Sequence, residues 1–112
     1  MHPSEDFTVE VHRRPGVVVV APAGEIDVAT VERLREPLQA AEDGGGAVVL
    51  DLRRVGFMDT SGLQLVFEQQ RRSSQSGFEF VVVRGSRQLQ RLFDIAGFAD
   101  RLRMVDDPAD VV

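Results

Sequence analysis

The chain contains no cysteine, lysine, tryptophan or tyrosine. Without cysteine there is no disulfide, no thiolate metal site and no cysteine nucleophile. Without lysine there is no phosphate-loop lysine, Schiff-base lysine or lysine general base. The two histidines, His2 and His12, both lie near the start, which leaves little for triad or metal chemistry. No apolar run approaches the roughly 18 residues that a membrane span requires. The opening residues 1–6 are polar and lack the charged-then-apolar pattern of a secretion signal. A cytoplasmic protein without a membrane partner is therefore expected.

What is present is the composition of an ordinary globule. Of 112 residues, 43% are hydrophobic and 28% charged, a balance that supports one packed domain. All 13 positive side chains are arginine; against 18 acids they leave a net charge of −5. A general affinity for nucleic acid or anionic lipid needs the opposite sign. Arg84, Arg87 and Arg91 fall near one another, but Glu79, Asp94 and Asp100 surround them. They read as a solvated face, and direct nucleic-acid binding is not expected.

Hydrophobic periodicity sets the expected elements. Phe7 to Val11 alternates as a half-buried strand. Arg14-Pro15-Gly16 then makes a turn into Val17 to Val20, a β-branched run suited to a strand covered on both faces. This pair is expected to be an antiparallel hairpin. Val28, Val31, Leu34, Leu38 and Ala41 form one stripe of a helix from about Val28 to Glu42, interrupted by Pro37. Gly44-Gly45-Gly46 lacks the Gly-Lys-Ser/Thr that would make it a phosphate cradle and reads as a loop. Ala47 to Leu52 is a third strand. A second helix is expected from about Ser61 to Arg72, with Arg71 and Arg72 in its last turn. Phe78 to Val83 is a fourth strand. Ser86 caps a third helix carrying Leu89, Leu92, Phe93 and Ala96, and Gly97 ends it. Arg101 to Val105 holds a short last strand, and 106–112 a frayed tail or helical turn. The expected α/β fold has a mostly parallel sheet of four to five strands, an antiparallel N-terminal strand and about four helices. One domain over 7–112 follows a disordered segment, 1–6.

Chemistry concentrates at Val55-Gly56-Phe57-Met58-Asp59-Thr60-Ser61-Gly62-Leu63. This stretch follows the carboxyl end of a buried strand and opens a helix, the edge where α/β sheets bind ligands and partners. Ser61 to Gln64 has the spacing of a capping box, so Ser61 is expected to cap the helix. A hydroxyl there is also compatible with phosphate, because the helix start carries unpaired amides and partial positive charge. Ser61 lacks the G-x-S-x-G elbow and no histidine is placed to serve it, so a hydrolase is not expected. Asp59 reads either as a turn-forming carboxylate or as a recognition contact, and Asp27 as an Asx turn or a partner contact. Thr60 reads as a structural hydroxyl or a second acceptor. Gly62 would let another backbone approach. Phe93 and Met58 read as core, whereas Ile95 and Phe98 fall partly off the stripe and suit a surface patch.

Phe57-Met58-Asp59-Thr60-Ser61-Gly62-Leu63 resembles the signature of the STAS domain family, in particular the bacterial anti-sigma factor antagonists. Gly24-Glu25-Ile26-Asp27 with Thr30, and Arg91 to Phe98, resemble two further segments of that family in the same order. Gln64 and Thr60 depart mildly from the usual pattern and leave the acceptor hydroxyl in place. The resemblance implies a partner switch rather than an enzyme. The unphosphorylated domain would bind an anti-sigma factor that is itself a serine kinase, and so free the sigma factor. Phosphorylation at Ser61 would end the complex, and a metal-dependent serine phosphatase would restore it. ATP and Mg²⁺ would belong to the kinase, so this chain needs no cofactor, metal or catalytic residue. Partner contacts would come from Asp27, Asp59, Thr60, Ser61, Gly62, Ile95 and Phe98, with the chain a monomer or weak dimer. The alternative is a STAS scaffold without a switch, or a small-ligand module in a sensory or transport assembly.

Overall fold

A computed structural model describes residues 6–111. The disordered segment expected over 1–6 lies, apart from Asp6, outside the described residues. Strands β1 (Thr8–Arg14) and β2 (Val17–Ile26) are followed by helix α1 (Val31–Ala41) and strands β3 (Ala47–Asp51) and β4 (Arg54–Met58). Helix α2 (Thr60–Ser76), strand β5 (Glu79–Val83), helix α3 (Arg87–Ile95) and strand β6 (Arg103–Val105) complete the order. Single 3-10 turns lie at Glu42–Gly44, Ala99–Arg101 and Pro108–Asp110. Among the described residues the sheet therefore has six strands rather than four or five, and three α-helices accompany it rather than about four.

Strand order is β1-β2-β3-β5-β6, with β4 also paired to β2. The expected antiparallel hairpin is present, Arg14 facing Val17 and Thr8 facing Ala23. All other pairings are parallel. The extra strand arises because β2 runs on past Val20. Its first half pairs with β3 at Val17 to Val20, its second half with β4 at Ala23 to Ile26. Pro22 falls where the neighbour changes from β3 to β4, a place where a missing N–H is tolerated. The β2–β4 register shifts between Gly24 and Glu25, and Gly24 has φ +109°, which a side chain would resist.

The helices cover one face of the sheet. Val18, Val20, Val48, Leu50, Phe80 and Val82 point into them and meet Leu34, Leu38, Leu65, Val66, Leu89 and Phe93 in one core. The opposite face carries Val17, Val19, Val49, Val81 and Val83, flanked by Val105 of β6 and covered by Val111. The expected two-sided burial of Val17 to Val20 thus comes from helices on one side and the C-terminal segment on the other. Arg14 secures that segment, its Nη2 donating to the carbonyls of Pro108 (2.8 Å) and Val111 (2.9 Å).

The bounds of α1 and α2 differ from the sequence reading. α1 begins at Val31, and Val28 is 79% exposed, because an Asx turn occupies the residues before the helix. Pro37 lies inside α1 without ending it. α2 continues to Ser76 and ends on Gly77 at φ +80°, so Arg71 and Arg72 are not in its last turn. The polar Ser73 and Ser74 remain helical, and the Ser74 hydroxyl bonds back to the Gln70 carbonyl. Arg72 instead makes a two-point pair with Glu42 (2.8 and 2.9 Å), which also accepts from the buried Gln69 amide (2.8 Å). The Arg72 hydrogen bond holds the Glu42 carboxyl below its ordinary value against the opposing effect of burial.

Candidate functional site

Parallel β2 and β4 end side by side, with Ile26 facing Met58. Each leads into a helix through a turn, so the segments after Ile26 and Met58 are neighbours. The Asp59 N–H donates to the Ile26 carbonyl at 3.1 Å and ties them together. In the first turn, Asp27 Oδ1 accepts from the N–H groups of Ala29 (2.9 Å) and Thr30 (3.2 Å). The fully buried Thr30 hydroxyl donates to the Glu25 carbonyl at 2.7 Å and accepts from the Asp27 N–H at 3.0 Å. Asp27 is thus an Asx-turn residue, half-buried, its carboxylate engaged with its own loop.

In the second turn Asp59, not Ser61, caps α2. Asp59 has extended backbone angles (φ −98°, ψ −169°), and its Oδ1 accepts from the Ser61 N–H at 2.8 Å. Its carbonyl accepts from the N–H groups of Gly62 and Leu63 at 3.1 and 3.2 Å. The expected Ser61–Gln64 capping box does not form. β4 runs to Met58 and delivers Asp59 to the cap position, which places Ser61 already inside the helix. Ser61 is half-buried, and its hydroxyl enters no hydrogen bond among the described residues. Among the described residues, the buried side-chain polar atoms without a partner are Gln69 Oε1 and Gln90 Oε1. Ser61 Oγ is not one of them, so it is not closed off from solvent. Thr60 is exposed beside it, with no structural bond to its hydroxyl among the described residues.

Gly62 has a different role from the expected one. It is buried, and a Cβ there would lie 2.3 Å from Met58 Cγ and 2.8 Å from Ile26 Cγ2. The chain's own Met58 and Ile26 occupy the space a partner backbone would have used. The glycine lets the first turn of α2 sit directly on the ends of β2 and β4.

Asp27, Asp59, Thr60, Ser61 and Gly62 are therefore gathered at one edge of the sheet. Ile95 and Phe98 are not. α3 packs against β4 from its cap at Ser86, and past its exit Phe98 meets Phe67, six residues beyond Ser61 on α2. Ile95 is 82% exposed, as a surface patch requires. Phe98 is half-buried, packed on the core and on Phe67 with ring centroids 3.8 Å apart. Phe93 and Met58 are core residues, as expected. Two exposed apolar side chains near the turns were missed. Val28 stands in the Asp27 turn, and Phe57, 50% exposed, stands on β4 opposite Glu25. The signal for Phe57 was its position two residues before Asp59, legible only once β4 is known to be a strand.

The STAS domain family model matches residues 8–111. The chain belongs to the STAS family. An anti-sigma-B factor antagonist of Staphylococcus aureus is 33% identical over 82 residues, covering 72% of this chain and 76% of that protein. An anti-sigma F factor antagonist of Paenibacillus polymyxa is 26% identical over 109 residues, covering 96% and 93%. The crystal structure of an anti-sigma factor antagonist from Mycobacterium paratuberculosis superposes with TM-score 0.81 at 25% identity, over 97% of this chain and 92% of that one. The STAS domain here shares that architecture from β1 to the C-terminal turn. No helix among the described residues is long and apolar enough to cross a membrane.

Proposed function

We propose that this STAS domain is an anti-sigma factor antagonist switched by phosphorylation of Ser61. In its unphosphorylated form it binds an anti-sigma factor with serine kinase activity and releases the sigma factor. The observation that carries this reading is the half-buried Ser61 hydroxyl in the first turn of α2, unbonded among the described residues and not closed off from solvent, with capping assigned to Asp59. The Ser61 oxygen attacks the γ-phosphorus of ATP held by the kinase. An O–P bond forms, the bond to ADP breaks, and the hydroxyl proton passes to a base on the kinase. Hydrolysis by a serine phosphatase returns the hydroxyl. The chain acts as substrate and binding partner in the cytoplasm, not as the catalyst.

The energetics suit a switch. The phosphate adds about −1.5 to −2 charge at one point. A like charge on the partner about 4 Å away costs up to ~4 kcal/mol per unit pair at an effective dielectric near 20. At ~1.4 kcal/mol per decade, that weakens binding by nearly three orders of magnitude. Val28 and Phe57, exposed around the acceptor, supply apolar area for the partner to cover. The test is intact mass after mixing with the cognate kinase, ATP and Mg²⁺. One added phosphate is expected, and none in Ser61→Ala. Phosphate uptake undiminished in Ser61→Ala, or equal kinase affinity before and after modification, would overturn the reading.

A further inference from the structure

We infer that the groove between the second half of α2 and the exit of α3 docks an acidic segment of a partner protein, anchored by an apolar side chain. α2 buries the stripe Gly62, Leu65, Val66 and Gln69 against the rest of the fold. A second stripe, Phe67, Gln70, Arg71 and Ser74, has the same three-and-four spacing and so shares one face of the helix. With Phe98 and Arg101 it lines a groove of about 610 Å³. Its floor is the Phe67–Phe98 pair, rings tilted at 40°, both half-buried, Phe98 held from behind by the core. The floor is therefore aromatic and fixed in place.

The walls are positive. Arg71 and Arg101 are exposed, and neither guanidinium has an ion pair or hydrogen bond among the described residues. Among the described residues no carboxylate lines the groove, although the chain carries 18 acids against 13 arginines. Elsewhere in the fold, Arg35, Arg53, Arg54, Arg72, Arg84 and Arg103 are each matched to an acid, whereas Arg13, Arg87 and Arg91 are unmatched among the described residues but do not line this groove. Two unneutralised arginines over an aromatic floor select an occupant with negative charge outside and an apolar residue inside. Ser61 lies about 9 to 20 Å away along α2, at 1.5 Å per residue, so this groove is distinct from the acceptor. A segment held here stays bound whether or not Ser61 is modified, and the inference does not depend on the switch.

The probe is a short synthetic peptide of aspartate and glutamate around a central Leu-Phe pair, titrated into isotope-labelled protein while amide shifts are followed. Saturable shifts are expected within 67–74 and 98–101, weakening as salt is raised. The double variant Arg71→Glu/Arg101→Glu is expected to lose about tenfold in affinity with an unchanged circular dichroism spectrum, because both side chains are exposed. The same Leu-Phe pair flanked by lysine should bind the double variant and not the parent. Ser61→Asp should bind the acidic peptide as the parent does. The inference is overturned by an absence of saturable shifts at the groove, by undiminished binding in the double variant, or by equal binding of the lysine peptide. Tighter binding of a short single-stranded oligonucleotide at the same residues would also overturn it and assign the groove to nucleic acid.

Discussion

Replacing Gly62 by alanine tests whether the first turn of α2 is seated on the strand ends as described. The new methyl would lie 2.3 Å from Met58 Cγ, 2.8 Å from Met58 Sδ and 2.8 Å from Ile26 Cγ2. Both neighbours are closed in, Met58 at 2% exposure and Ile26 at 1%, so neither can swing into solvent. Overpacking of this kind costs about 1–3 kcal/mol. Alanine recovers up to about 1 kcal/mol of helix propensity. The net expectation is a loss of about 1–2 kcal/mol, or about 5–10 °C in Tm for a domain near this size. The chain has no tryptophan or tyrosine, so the loss is best read by far-ultraviolet circular dichroism during urea unfolding. A second variant makes the reasoning specific. Met58→Ala alone opens a cavity, and in the double variant the methyl added at Gly62 enters that space. The double variant should therefore be more stable than the sum of the singles predicts, by about 1–2 kcal/mol. A Gly62→Ala protein as stable as the parent, with no coupling to Met58, would refute the packing role and leave Gly62 open to a partner.

Asp59→Ala should destabilise the fold by about 1 kcal/mol through loss of the cap, whereas Ser61→Ala should change it by less than about 0.5 kcal/mol; the opposite ranking in urea unfolding would restore Ser61 as the cap. The Glu42 carboxyl is held below its ordinary value in the folded state, so its contribution is complete above about pH 4.5 and disappears as pH falls through the lower folded value. The stability gap between parent and Glu42→Gln should accordingly shrink on acidification, and urea midpoints at neutral pH and near pH 3 would show it. Arg14→Ala removes both hydrogen bonds that hold the C-terminal segment over the second valine layer. Amide exchange at Asp110 and Val111 should accelerate strongly while exchange at Val49, between β2 and β5, changes little.

Much of the architecture was legible because each helix and most strands carry their own period. The hairpin, the parallel crossovers, the Ser86 cap and the Phe93 core position follow from residues close in sequence. β4 was not legible, for a long-range reason. Its burial alternation is broken by the register shift opposite Gly24 and Glu25, and its only strand partner among the described residues is the part of β2 beyond Pro22. A proline inside a valine-rich strand reads as its end, and only the change of neighbour there explains why it is not. Missing β4 moved the helix cap. With the strand end unknown, Ser61 and Asp59 are both acceptable caps, and the Ser61–Gln64 spacing favoured the wrong one. The Asp27 turn, by contrast, was readable from Asp27 and Thr30 alone, because its hydrogen bonds span three residues.

The division of labour between Asp59 and Ser61 bears on how a phosphate would act. A serine that capped its own helix would give up that bond on modification, and the fold would register the change. Here the Ser61 N–H is already taken by Asp59 Oδ1, and the Gly62 and Leu63 N–H groups by the Asp59 carbonyl. A phosphate on Ser61 therefore gains little from these amides. The helix dipole contributes about 0.3–1 kcal/mol in its favour. If the phosphate stands about 6 Å from the Asp59 carboxylate in water, repulsion costs about 1–1.5 kcal/mol for a doubly charged group. The two nearly cancel, so the phosphorylated domain should unfold within about 1 kcal/mol of the unmodified one. Once a partner covers the site, the effective dielectric falls and the same charge costs several times more. The switch then works by contrast between solvent and interface. Phosphorylation should change partner affinity by orders of magnitude and the urea midpoint scarcely at all; a large loss of stability on modification would show that the charge acts on the fold itself.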